Sequence, residues 1–161
     1  MTEVAVRRAE AGDAAGITRV HVQAWRETYT EIVAAEFLAR LHEVIDEARW
    51  ESTIAGGADV FVAIAGGEVV GWSIAGDGRD DDAPAPRELD GLYLLAAFHG
   101  SGAGQMLLEA AIGDEAAYLW IAEGNPRAEA FYAKNGFARD GHERVTPFAD
   151  QLIDTVRMVR G

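Results

Sequence analysis

From Leu92 to Gly104 the chain reads Leu-Tyr-Leu-Leu-Ala-Ala-Phe-His-Gly-Ser-Gly-Ala-Gly, a strand-like run that passes through alternate glycines into a helix-forming stretch. Gly100, Gly102 and Gly104 lack a Cβ, so the backbone can bend tightly and turn successive N–H groups toward one concavity. A helix starting there adds the partial positive charge of its first turn, and the two together suit a phosphate or pyrophosphate. A tight strand-to-helix connection with no ligand is the alternative. The spacing is G-x-G-x-G, not the dinucleotide fingerprint G-x-G-x-x-G, and no lysine follows as in a P-loop. Ser101 has His99 two residues before it, where a nucleophile elbow needs glycine.

The elements around this turn read as one domain over residues 1–161, a length ordinary for a single α/β unit with 49% hydrophobic residues. A strand over Glu3–Arg8 leads to Gly12-Asp13, with Asp13 a candidate N-cap, and to helical spacing of Ile17, Val20, Ala24 and Trp25. A second helical pattern holds Phe37, Leu38, Leu41, Val44 and Ile45. Gly56-Gly57 ends this region, and the runs Val60–Ile64 and Val69–Ile74 flank Gly66-Gly67 as a hairpin. Gly76–Arg87 crowds glycine, proline and four aspartates and reads as an exposed, solvated loop. Beyond it follow a strand (Glu88–Leu95), a helix (Gly104 to about residue 115), a strand (Tyr118–Ala122), a helix (Pro126–Asn135) and two strands (Phe137–His142, Asp154–Val159). The expected order is β-α-α-β-β-β-α-β-α-β-β.

Twenty-seven acidic against fourteen basic residues leave a net charge of −13, the wrong sign for neutralising a nucleic-acid backbone. The absence of cysteine excludes disulfides and thiolate chemistry. The first twelve residues carry charge rather than a leader-like apolar run, and no stretch has the length of a membrane span, so no membrane partner and a cytoplasmic location are expected. His21, His42, His99 and His142 show no i,i+4 pair or HExxH, and Asp80-Asp81-Asp82 lacks the spacing of a calcium loop, so no metal is expected. The single lysine against thirteen arginines reads as compositional bias.

His99-Gly100-Ser101-Gly102-Ala103-Gly104 resembles the acyl-CoA-binding signature [Q/R]-x-x-G-x-[G/A] of the GNAT superfamily of N-acetyltransferases. The stretch Leu119–Phe137, with its N-x5-F-Y-x3-G-F ending from Asn125, is similar to the strand and helix that follow in that family. His21–Tyr29 resembles the first helix of a bacterial GNAT subgroup, so the resemblance covers nearly the whole chain. It implies a mixed sheet whose two central parallel strands splay to admit the pantetheine arm of acetyl-CoA as co-substrate. It also implies a thioester lying along the backbone of Leu92–Leu94, where a strand irregularity frees an N–H. The chain departs from the family at His99, where Gln or Arg is usual, at Ser101, often basic, and at Ala96, commonly Pro. Phosphate binding would then rest on backbone N–H groups and the helix dipole, assisted by Arg127 or Arg139.

The resemblance makes Tyr132 the candidate proton donor to the departing thiolate, against a plain aromatic pair Phe131-Tyr132. Glu88 is the candidate base, with Asp90 competing; strand alternation puts Glu88, Asp90, Leu92 and Leu94 on one face. Asn125 before Pro126 reads as an N-cap, and the resemblance adds contact with the pantetheine arm. Trp25 and Tyr29 share a helical face and are either core or walls of an amine pocket offering cation–π contacts. The leading function is acetyl transfer to a primary amine, small-molecule or peptide, by direct attack, with an acidic cleft attracting a cationic acceptor. A non-catalytic acyl-CoA-binding sensor and a plain interaction domain are the alternatives, and homodimerisation follows by analogy alone.

Overall fold

Seven strands hydrogen-bond into one sheet, and the computed structural model describes residues 3–161 of the chain. The elements are β1 (Val4–Arg8), α1 (Ala14–Thr28), α2 (Ala35–Ala39), α3 (Glu47–Ala55), β2 (Asp59–Ala65), β3 (Glu68–Asp77), β4 (Arg87–Leu94), α4 (Ala103–Ile112), β5 (Ala117–Ala122), α5 (Pro126–Lys134), β6 (Ala138–Phe148) and β7 (Gln151–Arg160). The sheet order is β1-β2-β3-β4-β5-β7-β6, antiparallel throughout except for β4 against β5. The expected mixed α/β architecture is what the chain adopts. Ile17, Val20, Ala24 and Trp25 make the buried stripe of α1, while α4 buries Leu107, Leu108 and Ala111.

Several boundaries differ from the sequence reading, each for a local reason. Asp13 does not cap α1: its carboxylate accepts from the Glu10 N–H and from Arg7, closing a capping box on the 3-10 turn before α1. α4 stops at Ile112 because Gly113 turns the backbone to φ +53°. The last two strands run several residues further than expected, joined by a turn at Ala149-Asp150 and tied by a hydrogen bond between the Thr146 and Thr155 hydroxyls at 2.9 Å.

β4 and β5 share only three residue pairs, Arg87↔Ala117, Glu88↔Tyr118 and Leu89↔Leu119, and then part. β4 continues along β3, and β5 along β7. At the point of parting, pairing of β3 with β4 jumps from Ala75↔Leu89 to Ile74↔Gly91, leaving Asp90 as the extra residue of a bulge. The bulge overturns the expected common face of Glu88, Asp90, Leu92 and Leu94. Leu89 packs with Leu108 and Ile112, Leu92 and Leu94 pack around Ala103 and Leu107, and Glu88 points to the opposite side of the sheet, toward Tyr118 and Arg79. The strand irregularity thus lies at Asp90, ahead of the Leu92–Leu94 backbone where it was expected.

The segment between β3 and β4 is exposed along most of its length, as its composition implies, but it is also fastened to the sheet. Asp80 accepts from Trp120 Nε1 (2.9 Å), Arg144 (3.0 Å) and Arg157 (3.3 Å), and its own N–H donates to the Tyr118 hydroxyl (3.1 Å). Asp82 accepts from Arg157 at 3.0 Å, and Ala85 is buried. Of the four aspartates in these twelve residues, two sit over the buried β7 guanidinium of Arg157. Residues 78–86 form a strap fastened across the end of the sheet where β4 and β5 part.

Arg157 also pairs with Asp140 at 2.6 Å, so its removal leaves Asp80, Asp82 and Asp140 clustered without their buried counter-charge. Removing the buried partner of several carboxylates costs more than a surface pair is worth, and Arg157→Ala is expected to lose more than about 1 kcal/mol in urea unfolding. A loss below about 1 kcal/mol, the worth of a surface pair, contradicts the strap's dependence on Arg157.

Candidate active site

The parting strands open a cleft of about 950 Å³ that runs from the glycine turn, past α5, to the aromatic face of α1. At one end Gly100 (φ +79°) and Gly102 (φ +90°) hold left-handed conformations that side chains resist, and Gly102 caps α4. A Cβ on Gly104 would touch the Phe131 ring at 3.4 Å, so the third glycine lets α4 lie close to α5. The Ser101 N–H donates to the Phe98 carbonyl and the Ala103 N–H to Ser101 Oγ. The N–H groups of Gly100, Gly102, Gly104 and Gln105 meet no acceptor among the described residues, which is the pattern of an anion cradle at a helix start.

Each residue expected at the turn has a definite place. Gly100, Gly102 and Gly104 line the cleft; Ser101 serves by capping Ala103, whose side chain is fully buried. His99 Nε2 folds back to donate to the Leu94 carbonyl oxygen at 3.2 Å, pinning the turn to the end of β4. Leu92 and Leu94 line the cleft between turn and bulge. Asn125 Oδ1 caps α5 by accepting from the Ala128 N–H (3.3 Å), and Asn125 lines the cleft as well.

Tyr132, on α5, is 6% exposed and lines the same cleft. Burial first, and the neighbouring Tyr93 next, push its phenol well above the ordinary value, so it stays protonated. Trp25 and Tyr29 are both core and wall: their rings meet edge-on at 4.4 Å, Trp25 stacks on Phe148 at 4.5 Å, and both border the cleft. The Tyr29 and Tyr93 hydroxyls share a hydrogen bond of 2.8 Å.

The two carboxylates differ sharply. Glu88 is 2% exposed and accepts from the Arg79 backbone N–H (3.0 Å), from its guanidinium (3.0 and 3.3 Å) and from the Tyr118 hydroxyl (3.0 Å). Asp90, lifted out of the strand by the bulge, meets Arg79 at 2.7 Å and keeps an open side toward the cleft. Burial pushes its carboxyl up to about 6; Arg79 and Arg87 pull against that, and the charge of Glu88 adds to it.

Comparison with known proteins bears on this arrangement. Residues 56–139 match the family model of the acetyltransferase (GNAT) domain, a span holding the parting strands, the glycine turn and Tyr132. The uncharacterised N-acetyltransferase YuaI of Bacillus subtilis (strain 168) is 33% identical over 149 residues, covering 87% of this chain and 85% of YuaI. The chain belongs to the GNAT family of N-acetyltransferases. Its fold is also that of the PaiA N-acetyltransferase of Thermoplasma acidophilum, crystallised in complex with coenzyme A (TM-score 0.70, 18% identity, 96% of this chain and 98% of that one). A GCN5-related N-acetyltransferase of Rhodopseudomonas palustris superposes with TM-score 0.75 at 20% identity, over 99% of this chain and 96% of that one.

Within this GNAT cleft the charge balance corrects the expectation of an acidic cavity. Arg79, Arg127, Lys134 and Arg144 line it against two carboxylates, Glu88 and Asp90, although the whole chain carries −13. Arg139 is not available to the turn, being held by Glu123 (3.0 Å) and Glu129 (2.6 Å). Arg127 and Lys134 border the cleft instead, with Phe131 between them on one face of α5. That i, i+4, i+7 spacing was readable in sequence, and the chain's only lysine therefore has a place that composition did not show. Arg79 had no sequence signal, because its partners depend on how the strap is fastened.

A carboxyl raised to about 6 from an ordinary 3.8 has a stability consequence. The stabilisation linked to its proton is complete below the ordinary value and is lost as pH rises through about 6. Carboxyl ¹³C NMR is expected to show Asp90 titrating near pH 6, with Asp90→Asn removing the resonance; a midpoint near 4 contradicts the desolvated bulge.

Proposed function

We propose that this GNAT chain transfers an acetyl group from acetyl-CoA to a primary amine, small-molecule or peptide, by direct attack within a ternary complex. The observation that carries this is convergence: the unpartnered N–H groups of the turn, the Tyr132 phenol and the Asp90 carboxylate all border the single opening where β4 and β5 part. The cradle fits the pyrophosphate of acetyl-CoA, with Arg127 and Lys134 adding the fixed positive charge that the turn itself lacks. Acetyl-CoA supplies an activated thioester, so the chain needs no nucleophile of its own.

Asp90 is the base in this account, and Glu88 its anchor. A carboxyl near 6 is ionised at neutral pH yet basic enough to accept a proton, directly or through water, from an amine of pKa about 10.4. Glu88, with three donors on Oε1 and the Arg79 guanidinium on Oε2, is poorly placed to do so. Tyr132 donates to the departing thiolate; its raised phenol makes this a strong hydrogen bond first, since full transfer to a thiolate of pKa about 8.5 is uphill. Trp25, Tyr29 and Phe148 form the apolar side of the acceptor space.

A non-catalytic acyl-CoA-binding module is the second reading, favoured by one observation: Arg79 engages both carboxylates at once. A cytoplasmic location and a homodimer built on the last hairpin complete the proposal. The supporting facts are that no helix among the described residues is long and apolar enough to cross a membrane, and that outer strand β6 and its neighbour β7 expose Val145 (54%) and Leu152 (75%).

Calorimetric titration with acetyl-CoA tests the cradle. Affinity is expected to fall between low and physiological salt, and Lys134→Gln is expected to flatten that dependence; salt-independent binding contradicts the charge assignment. Tyr132→Phe is expected to keep acetyl-CoA affinity and lose about 10²-fold in turnover, and full turnover removes Tyr132 from the chemistry.

A further inference from the structure

Arg79 is the residue of this cleft that the sequence pattern did not single out. Its side chain is 66% exposed, yet the residue is held at four points: its backbone N–H, Nε and Nη2 on Glu88, and Nη2 on Asp90 at 2.7 Å. Exposed arginines usually spend conformational entropy to hold one ion pair and gain little. Here the cost is met in advance, because the next residue, Asp80, is fastened to Trp120, Tyr118, Arg144 and Arg157. The strap therefore delivers a preorganised cation to the one carboxylate that the bulge turns into the cleft.

We propose that Arg79 is a positioning residue for acyl transfer, fixing the Asp90 carboxylate toward the acceptor while the buried Glu88 anchors the guanidinium. The inference rests on Asp90 being the base. The groups that face Asp90 are few: Arg79 from the strap, Arg87 and Glu88 from β4, and, through Glu88, Tyr118 from β5; β3 presents only Ile74 and Ala75 there. Of the cations, Arg79 alone contacts the carboxylate, whereas Arg87 is bonded to Asp59 and to the Ala111 carbonyl. Loss of Arg79 thus removes the main attraction for the charged form, leaves only Arg87 to oppose burial and Glu88, and frees the side chain to turn.

The test is the pH profile of kcat/KM, expressed per free amine, for the full chain and for Arg79→Gln, Arg79→Lys and Asp90→Asn, with acetyl-CoA affinity measured on each. The parent protein is expected to show an acid limb near pH 6. Arg79→Gln is expected to move that limb upward by about one unit, equivalent to roughly a fivefold loss at pH 6, with acetyl-CoA affinity unchanged and Arg79→Lys intermediate. A merely structural arginine would lower the rate equally at all pH values, and that result, or an unmoved limb, overturns the inference. The underlying assignment fails separately: if Asp90→Asn retains the acid limb, Asp90 is not the base. If Asp90→Asn abolishes the limb while Arg79→Gln leaves it in place, only the role of Arg79 falls.

Discussion

Two parallel strands that share three residue pairs and then separate are the constraint on which the rest of this molecule turns. A sheet cannot leave backbone groups unpaired at its centre without a reason, because each buried N–H or C=O without a partner costs free energy. Here β4 remains paired along β3 and β5 along β7, so the sheet stays continuous on either side while its centre opens. The opening places an anion cradle, a protonated phenol and a half-buried carboxylate around one cavity, although they come from α4, α5 and β4. The bulge at Asp90 sits where the strands part, which is why Asp90 keeps an open side toward the cavity while Glu88, also at its wall, is buried and held by Arg79 and Tyr118.

Electrostatics follow from the same geometry. The net charge of −13 describes the whole surface, while the cavity gathers Arg79, Arg127, Lys134 and Arg144. A long-range field that repels anions therefore coexists with a local site able to hold them, the first acting on encounter and the second on residence. The acidic strap reconciles the two by placing Asp80 and Asp82 over the cations of β6 and β7 and leaving Arg79 for the carboxylates of β4.

Much of this was legible in the chain. Apolar alternation and glycine punctuation located most elements, and the glycine turn and the Asn125–Phe137 stretch pointed to the family that the matches then showed. What was not legible has a common physical cause: it depends on pairings across the sheet. A bulge has no composition of its own, so the alternation rule wrongly put Glu88 on the side of Leu92 and Leu94. The run of aspartates is largely exposed, as its composition implied, but its tie to the sheet was not legible because Arg157 sits 75 residues beyond Asp82. Arg139 and Arg127 looked equivalent until Glu123 and Glu129 claimed the first.

The central claim is that the cleft between β4 and β5 carries out acyl transfer rather than only holding a ligand. The direct measurement is release of the CoA thiol from acetyl-CoA by the purified protein, with and without a mixed panel of primary amines, at pH 8. The account predicts thiol release that depends on amine and saturates with acetyl-CoA. Saturable acetyl-CoA binding with no amine-dependent release from any member of the panel would contradict it and favour the binding module.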